Sequence, residues 1–268
     1  MAERTAHNRQ VGGPIPPAST KVWYNVSTMK TPKRVVLKIS GEVMSGHGKT
    51  GFDKAAIQFI AKEIHDAVKT AKCELAIVIG GGNLIRGSKL ISEIGSTNVI
   101  ADQAGMLATI INGLILQDFL EKTHGLAVRT MSAVEVRAFT EAYIRRRAMA
   151  HMEKGRVVIL AGGSANPRFT TDTAAVLRAV ELEADLIIKG TKVDGVYDSD
   201  PHANGDSHFI PRISQHEYLA KKLKILDSTA VTLAGENNMP IRVINILTQG
   251  NLAKLLQGEE VGSLIVPE

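Results

Sequence analysis

The chain has 268 residues, 44% of them hydrophobic, which is enough to bury a large core as one broad domain or as two closely packed lobes. Its mean hydropathy is close to zero and no apolar run of membrane-spanning length is evident, so we expect a soluble protein without a membrane partner. The net charge of +5 lies in residues 1–34, and the remainder of the chain is balanced. This distribution argues against a nucleic-acid-binding surface on the folded part.

The cysteine and histidine content excludes two further classes of site. The single cysteine, Cys73, cannot form an internal disulfide and fits a reducing compartment. We therefore expect a cytoplasmic protein in which this thiol is packed and inert. The eight histidines are scattered without the spacing of metal ligands, so we expect no metal ion held by the protein itself.

Residues 1–29 are predicted to form a flexible N-terminal extension. They are polar, contain Gly12-Gly13-Pro14 and Pro16-Pro17, and show neither helical nor strand periodicity. Their few acidic residues and two early arginines also fit an organellar transit peptide. A third interpretation is that the extension is spurious and that translation starts at Met29. We expect residues 30–268 to form a single folded domain.

From residue 33 onward, apolar runs alternate with helical patterns. Strands are predicted at 35–39, 75–79, 126–131, 156–161, 186–189, 241–246 and 263–266. Helices are predicted from Asp53, over 98–122, within 133–153, after residue 171, after Ser214, from Asp227 and near 251–257. This alternation, with few aromatic residues, predicts an α/β fold in which a mostly parallel sheet is sandwiched between helices.

Three of the predicted strands end in glycine-containing loops, at 38–41, 80–83 and 162–166. The third loop leads into a helix capped by Thr170 or Thr171, whose free N–H groups and positive dipole end suit an anion. An ordinary strand-loop-helix junction would explain any one of these loops. Because parallel strands end at one edge of the sheet, the three together predict a crevice that cradles a phosphorylated substrate.

Two familiar nucleotide motifs are absent. Gly48-Lys49-Thr50 resembles the end of a Walker A motif, but the glycine needed five positions before Gly48 is Val43. No Gly-x-Gly-x-x-Gly pattern follows a predicted strand, so a dinucleotide-binding fingerprint is also missing. Phosphates must therefore be held in another way.

Five charged side chains are candidates for that task. Lys38 lies within an otherwise apolar strand, Lys189 repeats the pattern, and Arg86 follows the second glycine loop. Cations aimed at phosphate are one interpretation; lysines that reach water from an edge strand and a surface arginine are the other. Asp102 and Asp172 stand in the first turns of predicted helices, where the helix dipole alone would favour an acid.

The segment 194–201 combines turn residues with one aromatic ring, that of Tyr197. It is either a pair of turns ended by Pro201 or part of a nucleotide site. In the second case the ring would lie against a base, and the carboxylates would accept hydrogen bonds from ribose hydroxyls.

Together these motifs resemble the bacterial-type UMP kinases of the amino acid kinase superfamily. The resemblance covers the chain from about residue 33 to the C-terminus, and its motifs stand in the family's order. The matching residues are Lys38-Ile39-Ser40-Gly41, Gly80-Gly81-Gly82-Asn83-Leu84-Ile85-Arg86, Asp102 with Gly105-Met106-Leu107-Ala108-Thr109, Asn166-Pro167, Phe169-Thr170-Thr171-Asp172 and Thr191-Lys192-Val193-Asp194-Gly195-Val196-Tyr197-Asp198-Ser199-Asp200-Pro201.

The resemblance implies transfer of the ATP γ-phosphoryl group to UMP, with catalytic roles for Lys38, Arg86 and Asp172. It implies that ATP binds at Lys38, Ile39, Ser40, Gly41, Gly82, Arg86, Thr191, Tyr197 and Asp200, with Mg²⁺ bridging its phosphates. It implies that UMP binds at Gly81, Asp102, Ser164, Ala165, Asn166, Pro167, Arg168, Phe169, Thr170 and Thr171. A homohexamer, activation by GTP and inhibition by UTP are further expectations that rest on the resemblance alone.

This reaction fits the residues present, because UMP is already an anion and needs no strong general base. The sequence also departs from the family's usual Gly-Thr-Gly-Asn-Pro-Phe-Phe motif, since it has Ala165 for a glycine and Arg168 for an aromatic residue. Two alternatives remain at this point: another kinase of the superfamily that phosphorylates a carboxylate, and a non-catalytic protein that binds a nucleotide or oxyanion on the same fold.

Overall fold

The computed structural model describes residues 31–48, 50–201 and 206–267. The N-terminal extension predicted over 1–29 lies outside the described residues. The helices are α1 (Lys54–Ala71), α2 (Gly87–Ile94), α3 (Asn98–His124), α4 (Arg145–Glu153), α5 (Thr171–Glu181), α6 (Gln215–Ala220), α7 (Ser228–Glu236) and α8 (Asn251–Leu256), with a 3₁₀ helix over Gly41–Ser45. The strands are β1 (Arg34–Ile39), β2 (Glu74–Ile79), β3 (Val128–Ser132), β4 (Glu141–Ala142), β5 (Val157–Ala161), β6 (Leu186–Thr191), β7 (Val196–Tyr197), β8 (Phe209–Ile210), β9 (Arg212–Ser214), β10 (Ile241–Asn245) and β11 (Ser263–Val266).

Nine strands form one sheet in the order β4-β3-β5-β2-β1-β6-β10-β11-β9. Neighbouring strands run parallel except β10 and β11, which are antiparallel. Strands β7 and β8 form a separate antiparallel ribbon. The predicted α/β fold with a mostly parallel sheet is confirmed, and β1, β2, β5 and β6 end at the same edge.

The core has two layers, one on each face of the sheet. Successive strand residues point to opposite faces, so β1 sends Val35, Leu37 and Ile39 toward α1, α3 and α8, and Val36 toward α4, α5, α6 and α7. A strand covered on both faces should be apolar throughout. Lys38 breaks that pattern on the Val36 side, where α5 packs.

Side-chain caps fix the starts of several helices. The carboxylate of Asp53 accepts a hydrogen bond from the Ala56 N–H at 2.7 Å, and Ser214 accepts one from the Glu217 N–H at 3.0 Å. Thr170, rather than Thr171, caps α5, since its hydroxyl accepts from the N–H groups of Asp172 and Thr173 at 3.1 and 3.2 Å. The predicted caps thus form where the sequence places them.

The region 133–153 differs from its predicted helical character. Only Arg145–Glu153 is helical, and the preceding residues form turns and strand β4, which extends the sheet beside β3. Near its start, the Ser132 hydroxyl donates to the Val134 carbonyl at 2.6 Å and accepts from the Val134 N–H at 3.2 Å. These bonds engage the backbone in a turn, in competition with a helix.

Helix α3 corrects one expectation from composition. Among the described residues, it is long and apolar enough to cross a membrane by length and composition, whereas the sequence suggested no such run. In the structure, 44% of its most apolar stretch is buried against the rest of the fold. It supplies core residues such as Leu116 and Leu120 and carries Asp102 near its N-terminus.

Candidate active site

Two lysines and one aspartate form a buried cluster at the carboxyl edge of the sheet. Lys38 on β1 and Lys189 on β6 are directly opposite each other in the parallel ladder. The ammonium of Lys38 lies 2.6 Å from Oδ1 of Asp172, and that of Lys189 lies 2.5 Å from Oδ2. The lysines are only 7% and 8% exposed, so neither is a surface side chain that reaches water.

The charges of this cluster are strongly coupled. Burial acts to raise the pKa of Asp172, but the ammonium groups of Lys38 and Lys189 outweigh it and hold that pKa below its usual range. Burial, joined by repulsion from Lys38, lowers the pKa of Lys189 to about 8, although Asp172 acts in the opposite direction. Asp172 is therefore an ionised carboxylate that orients two cations, and it is poorly suited to accept a proton.

Helix α5 presents its N-terminus beside this cluster. The Thr170 hydroxyl that caps the helix also donates to Oδ2 of Asp227, and the Thr173 hydroxyl lies 3.0 Å from Oδ1 of the same carboxylate. Asp227 in turn caps α7 by accepting from the Ala230 N–H at 2.9 Å. One carboxylate thus joins the starts of α5 and α7 and fixes the turn that carries Asp172.

The first two glycine loops are packed against each other. The Gly80 N–H donates to the Ile39 carbonyl at 2.9 Å, while the Ile39 side chain is fully buried in the core. A Cβ on Gly41 would lie 2.5 Å from the Gly80 carbonyl oxygen, and a Cβ on Gly80 would lie 3.6 Å from Oγ1 of Thr171. The loops after β1 and β2 and the start of α5 therefore meet at one point, as the strand order predicts.

Arg86 lies in an adjoining groove. Its guanidinium donates to Oε1 of Glu42 at 2.7 Å, and the ammonium of Lys192 lies 3.7 Å from Oε2 of the same residue. The groove is lined by Glu42, Ser45, Gly46, His47, Gly48, Arg86 and Lys192. Lys38 and Asp172 do not line it, so the structure joins two of the three predicted catalytic residues directly and places Arg86 in a neighbouring cluster.

The 162–169 loop, which begins with the third glycine-containing segment, is bonded to α3. The Gly162 N–H donates to the buried Thr109 hydroxyl at 2.8 Å, and the Arg168 N–H donates to Oδ2 of Asp102 at 2.8 Å. Ser164 and Asn166 bond to each other across the loop, with the Asn166 N–H 3.2 Å from the Ser164 hydroxyl. The loop residues predicted to bind UMP therefore form one structural unit with Asp102.

Two residues of this loop hold left-handed backbone angles that normally favour glycine. Ala165 has φ of 62° and Arg168 has φ of 73°. For residues with a Cβ, this conformation costs about 1–2 kcal/mol. At Ala165 the backbone adopts a conformation that suits the glycine of the resembled motif. Pro167 and the half-exposed Phe169 complete the loop.

The residues predicted for the adenosine end of ATP lie beyond β6. Thr191 is the last residue of that strand and pairs with Asn245 of β10. Tyr197 belongs to β7, and its ring packs edge-to-face against Phe209 with centroids 5.6 Å apart. Asp200 follows in the loop after β7. Thr191 stands at the end of β6, whereas the 162–169 loop follows β5, which is separated from β6 by β2 and β1.

The sequence alone does not show how several residues of the site are connected. Lys189 is a candidate cation from its strand pattern, but its position directly opposite Lys38 depends on strand register. Glu42, Asp227 and Thr109 act through partners 44, 57 and 53 positions away, which no local pattern reveals. A carboxylate next to the first glycine loop is the one sequence feature that would have pointed to Glu42.

The fold and this arrangement of cations and glycine loops are those of a phosphotransferase. A model of the amino acid kinase family matches residues 33–245. The chain therefore belongs to the amino acid kinase family.

Individual relatives narrow this assignment. A uridylate kinase of Rubrobacter xylanophilus is 48% identical over 234 residues, which cover 87% of this chain and 91% of that protein. The structure of a UMP kinase from Bacillus anthracis matches with a TM-score of 0.85 at 36% identity, covering 89% of this chain and 98% of that one. A UMP kinase from Ureaplasma parvum matches with a TM-score of 0.81 at 34% identity, covering 87% and 98%. Within the family the chain belongs to the uridylate kinases, which confirms the resemblance found in its motifs.

Proposed function

We propose that the protein transfers the γ-phosphoryl group of ATP to the phosphate of UMP, which gives UDP and ADP. The observation that carries this proposal is the buried Lys38–Asp172–Lys189 cluster, which lies at the edge of the sheet where the three glycine loops begin. The chain that contains it belongs to the uridylate kinases. The family of the chain disfavours the alternatives of a carboxylate kinase and of a non-catalytic binding protein.

The donor, ATP, is proposed to bind along the loops after β1, β2 and β6. Lys38, Ile39, Ser40 and Gly41 would meet its phosphates, together with Gly82 and Arg86. The Ile39 contribution is limited to its backbone, because its side chain is buried. Thr191, Tyr197 and Asp200 would hold the adenosine end, with the Tyr197 ring offering a face to the base.

The acceptor, UMP, is proposed to bind between Gly81, Asp102 and the 162–171 segment. Asp102 has one carboxylate oxygen engaged by the Arg168 N–H, which leaves the other available for a ribose hydroxyl. The N-terminus of α5 offers its dipole to the UMP phosphate. Arg168 adds a cation where the resembled motif has an aromatic residue.

In this mechanism the protein aligns the two nucleotides and stabilises the charge on the transferred phosphoryl group. The UMP phosphate is an anion and attacks without losing a proton to the protein. Lys38, Lys189 and Arg86 would neutralise charge that develops on the transferred group, and Asp172 keeps the two lysines in place before the nucleotides arrive. Removing one such donor should lower turnover on the order of 10²–10³.

Magnesium is proposed to enter as part of the MgATP substrate. Within the described part of the chain, no group of three or more His, Cys, Asp or Glu side chains could hold a metal ion. Asp172 has both carboxylate oxygens engaged by lysines, and Asp227 has both engaged by threonine hydroxyls. The phosphates of ATP would therefore supply the main oxygen ligands.

The assay that tests the function measures ADP release from MgATP with different acceptors. We expect UMP to be phosphorylated far better than CMP, glutamate or carbamate. A preference for glutamate or carbamate would favour a carboxylate or carbamate kinase, and no ADP release with any acceptor would favour a binding protein. Absence of a preference for UMP would refute the proposal.

The remaining expectations from the sequence stand as proposals about the whole protein. We propose that residues 30–268 act as one catalytic domain in a soluble, cytoplasmic homo-oligomer, a hexamer by resemblance to the family. An exposed apolar stripe formed by Ile94 of α2 and by Ile100, Leu107 and Ile111 of α3 supports self-association. Activation by GTP and inhibition by UTP are proposed on the resemblance alone.

A further inference from the structure

Two asparagines form a closed pair of amides beneath the glycine loops. Asn83 and Asn112 are both 0% exposed. The Asn112 Nδ2 donates to Oδ1 of Asn83 at 2.6 Å, and the Asn83 Nδ2 donates to Oδ1 of Asn112 at 3.1 Å. The second N–H of each side-chain amide donates to a backbone carbonyl. Asn112 donates to the Gly80 carbonyl at 2.7 Å, and Asn83 donates to the Gly51 carbonyl at 3.0 Å. Both N–H groups of each side-chain amide are therefore hydrogen-bonded.

The pair joins elements that are far apart in the sequence. Asn83 follows the glycine run after β2, whereas Asn112 lies on α3, the helix that carries Asp102. The Asn83 carbonyl also accepts from the Gly51 N–H at 2.7 Å, in the segment that leads into α1. The first glycine loop packs on the pair, because a Cβ on Gly41 would lie 2.5 Å from Oδ1 of Asn83.

The bond to Gly80 determines which way one peptide unit points. In a trans peptide, the carbonyl and the following N–H point in opposite directions. Because the Gly80 carbonyl is held toward Asn112, the N–H of Gly81 is turned away from α3. No described residue accepts a hydrogen bond from that N–H. Gly81 itself is pressed against α3, since a Cβ there would lie 2.7 Å from the Gly105 carbonyl oxygen.

We propose that the Asn83–Asn112 pair is a positioning unit for the phosphoryl transfer: it fixes the Gly80–Gly81 peptide so that the Gly81 N–H faces the nucleotide phosphates. This inference rests on the proposed function. A buried polar network whose members are all satisfied makes the surrounding backbone rigid, while an apolar pair of similar shape would fill the same space. Orientation of the loop explains why amides occupy this position.

The test compares Asn112→Ser, Asn83→Ser and the matched control Asn237→Ser, an exposed asparagine at the end of α7. Serine is uncharged and too short to reach the Gly80 carbonyl from position 112. We expect N112S to lower kcat on the order of 10²-fold, the size of effect that a misplaced contact produces. N83S leaves the bond from Asn112 to Gly80 in place, so its loss of kcat should be smaller than on the order of 10²-fold. N237S should match the wild type.

The readouts separate positioning from stability and from the proposed function. Thermal midpoints and the KM values for ATP and UMP are measured with kcat, well below each midpoint. Wild-type kcat in folded N112S would overturn the inference, because a purely structural pair lowers only the midpoint. If N112S does not fold, wild-type kcat in N83S overturns it. A wild-type protein that fails to phosphorylate UMP would overturn the proposed function and this inference with it, whereas equal rates in wild type and N112S overturn the inference alone.

Discussion

At the scale of single residues, the centre of the site is one carboxylate held between two ammonium groups. Lys38 and Lys189 would repel each other across the β1–β6 ladder without Asp172, which lies 2.6 and 2.5 Å from them. Two buried cations with one anion leave a net positive charge at the edge of the sheet. This charge attracts phosphate and remains oriented before substrate binds.

Replacing Asp172 with asparagine should therefore lower turnover while the fold persists. The amide keeps the shape of the side chain but loses the charge that holds the lysines, and we expect kcat to fall on the order of 10²–10³. The rate of ADP release with saturating MgATP and UMP measures kcat. The control is Asp118→Asn, an exposed acid paired with Lys122 on α3, which should behave as the wild type. Unchanged kcat in the Asp172 variant would remove this residue from the mechanism.

The lowered pKa of Lys189 predicts the alkaline limb of the pH profile. Burial and the Lys38 ammonium bring that pKa to about 8, so the free enzyme loses this cation as pH rises through that value. Bound ATP phosphates favour the charged form and raise the pKa again. We expect kcat/KM for ATP to fall above about pH 8, while kcat stays level to higher pH.

Lys189→Arg provides the comparison, because a guanidinium stays protonated throughout this range. Whatever its absolute rate, its alkaline limb in kcat/KM should move upward. A wild-type kcat/KM that remains level well above pH 8, or a limb that stays in place in the arginine variant, would contradict the assignment.

The sequence predicted part of this cluster. Lys38 and Asp172 could be selected because each stands at a strand end or helix start in a recognisable motif. The role of Lys189 depends on strand register, because Lys189 lies opposite Lys38 only through the pairing of β1 with β6, two strands that no local pattern relates. Arg86 pairs with Glu42 in a groove that Lys38 does not line, and the sequence does not indicate this ion pair.

At the scale of elements, α5 packs in the hydrophobic core and positions the catalytic candidate Asp172. Its buried face packs beneath the sheet, its cap is Thr170, and its first turn carries Asp172. Asp227 fixes that cap from the start of α7. The orientation of Asp172 therefore depends on the cap, and damage to the cap should affect both stability and turnover.

Thr170→Ala and Ser214→Ala test this dependence as a matched pair. Each removes a hydroxyl cap, so each should lower the free energy of unfolding by about 1 kcal/mol, measured by denaturant titration. Only the Thr170 variant should also lose turnover, because α6, which Ser214 caps, carries none of the proposed site residues. Equal turnover in the two variants would contradict the coupling between the α5 cap and the site.

Element prediction succeeded where local chemistry was sufficient. The caps at Asp53, Thr170 and Ser214 and the long apolar strands lie where periodicity and cap residues place them. Helix α2 was missed because it begins at Gly87 without a side-chain cap. The two-residue strands β4, β7 and β8 are too short for a pattern and exist only through pairing with neighbours.

At the scale of the whole molecule, an apolar stripe remains open on α2 and α3. Ile94 is 74% exposed, and Ile100, Leu107 and Ile111 are each about half exposed along one face of α3. Contiguous exposed apolar surface of this kind marks association sites. It supports the proposed homo-oligomer.

Leu107→Lys combined with Ile111→Lys should dissociate the assembly, because buried lysines at a subunit contact cost desolvation energy. Light scattering after size exclusion measures the mass. Leu247→Lys, at an exposed apolar position two residues after β10, is the control and should leave the mass unchanged. A monomeric wild type, or a double variant of wild-type mass, would rule out association through this stripe.

The central claim is that one edge of the sheet brings two nucleotides together end to end. A crystal structure with UMP and an ATP analogue that cannot be cleaved tests it most directly. We predict that the γ-phosphoryl oxygens lie about 3 Å from the Lys38 ammonium, with the UMP phosphate beside them at the start of α5. Nucleotides bound in separate cavities, with Lys38, Arg86 and Asp172 divided between them, would contradict the account.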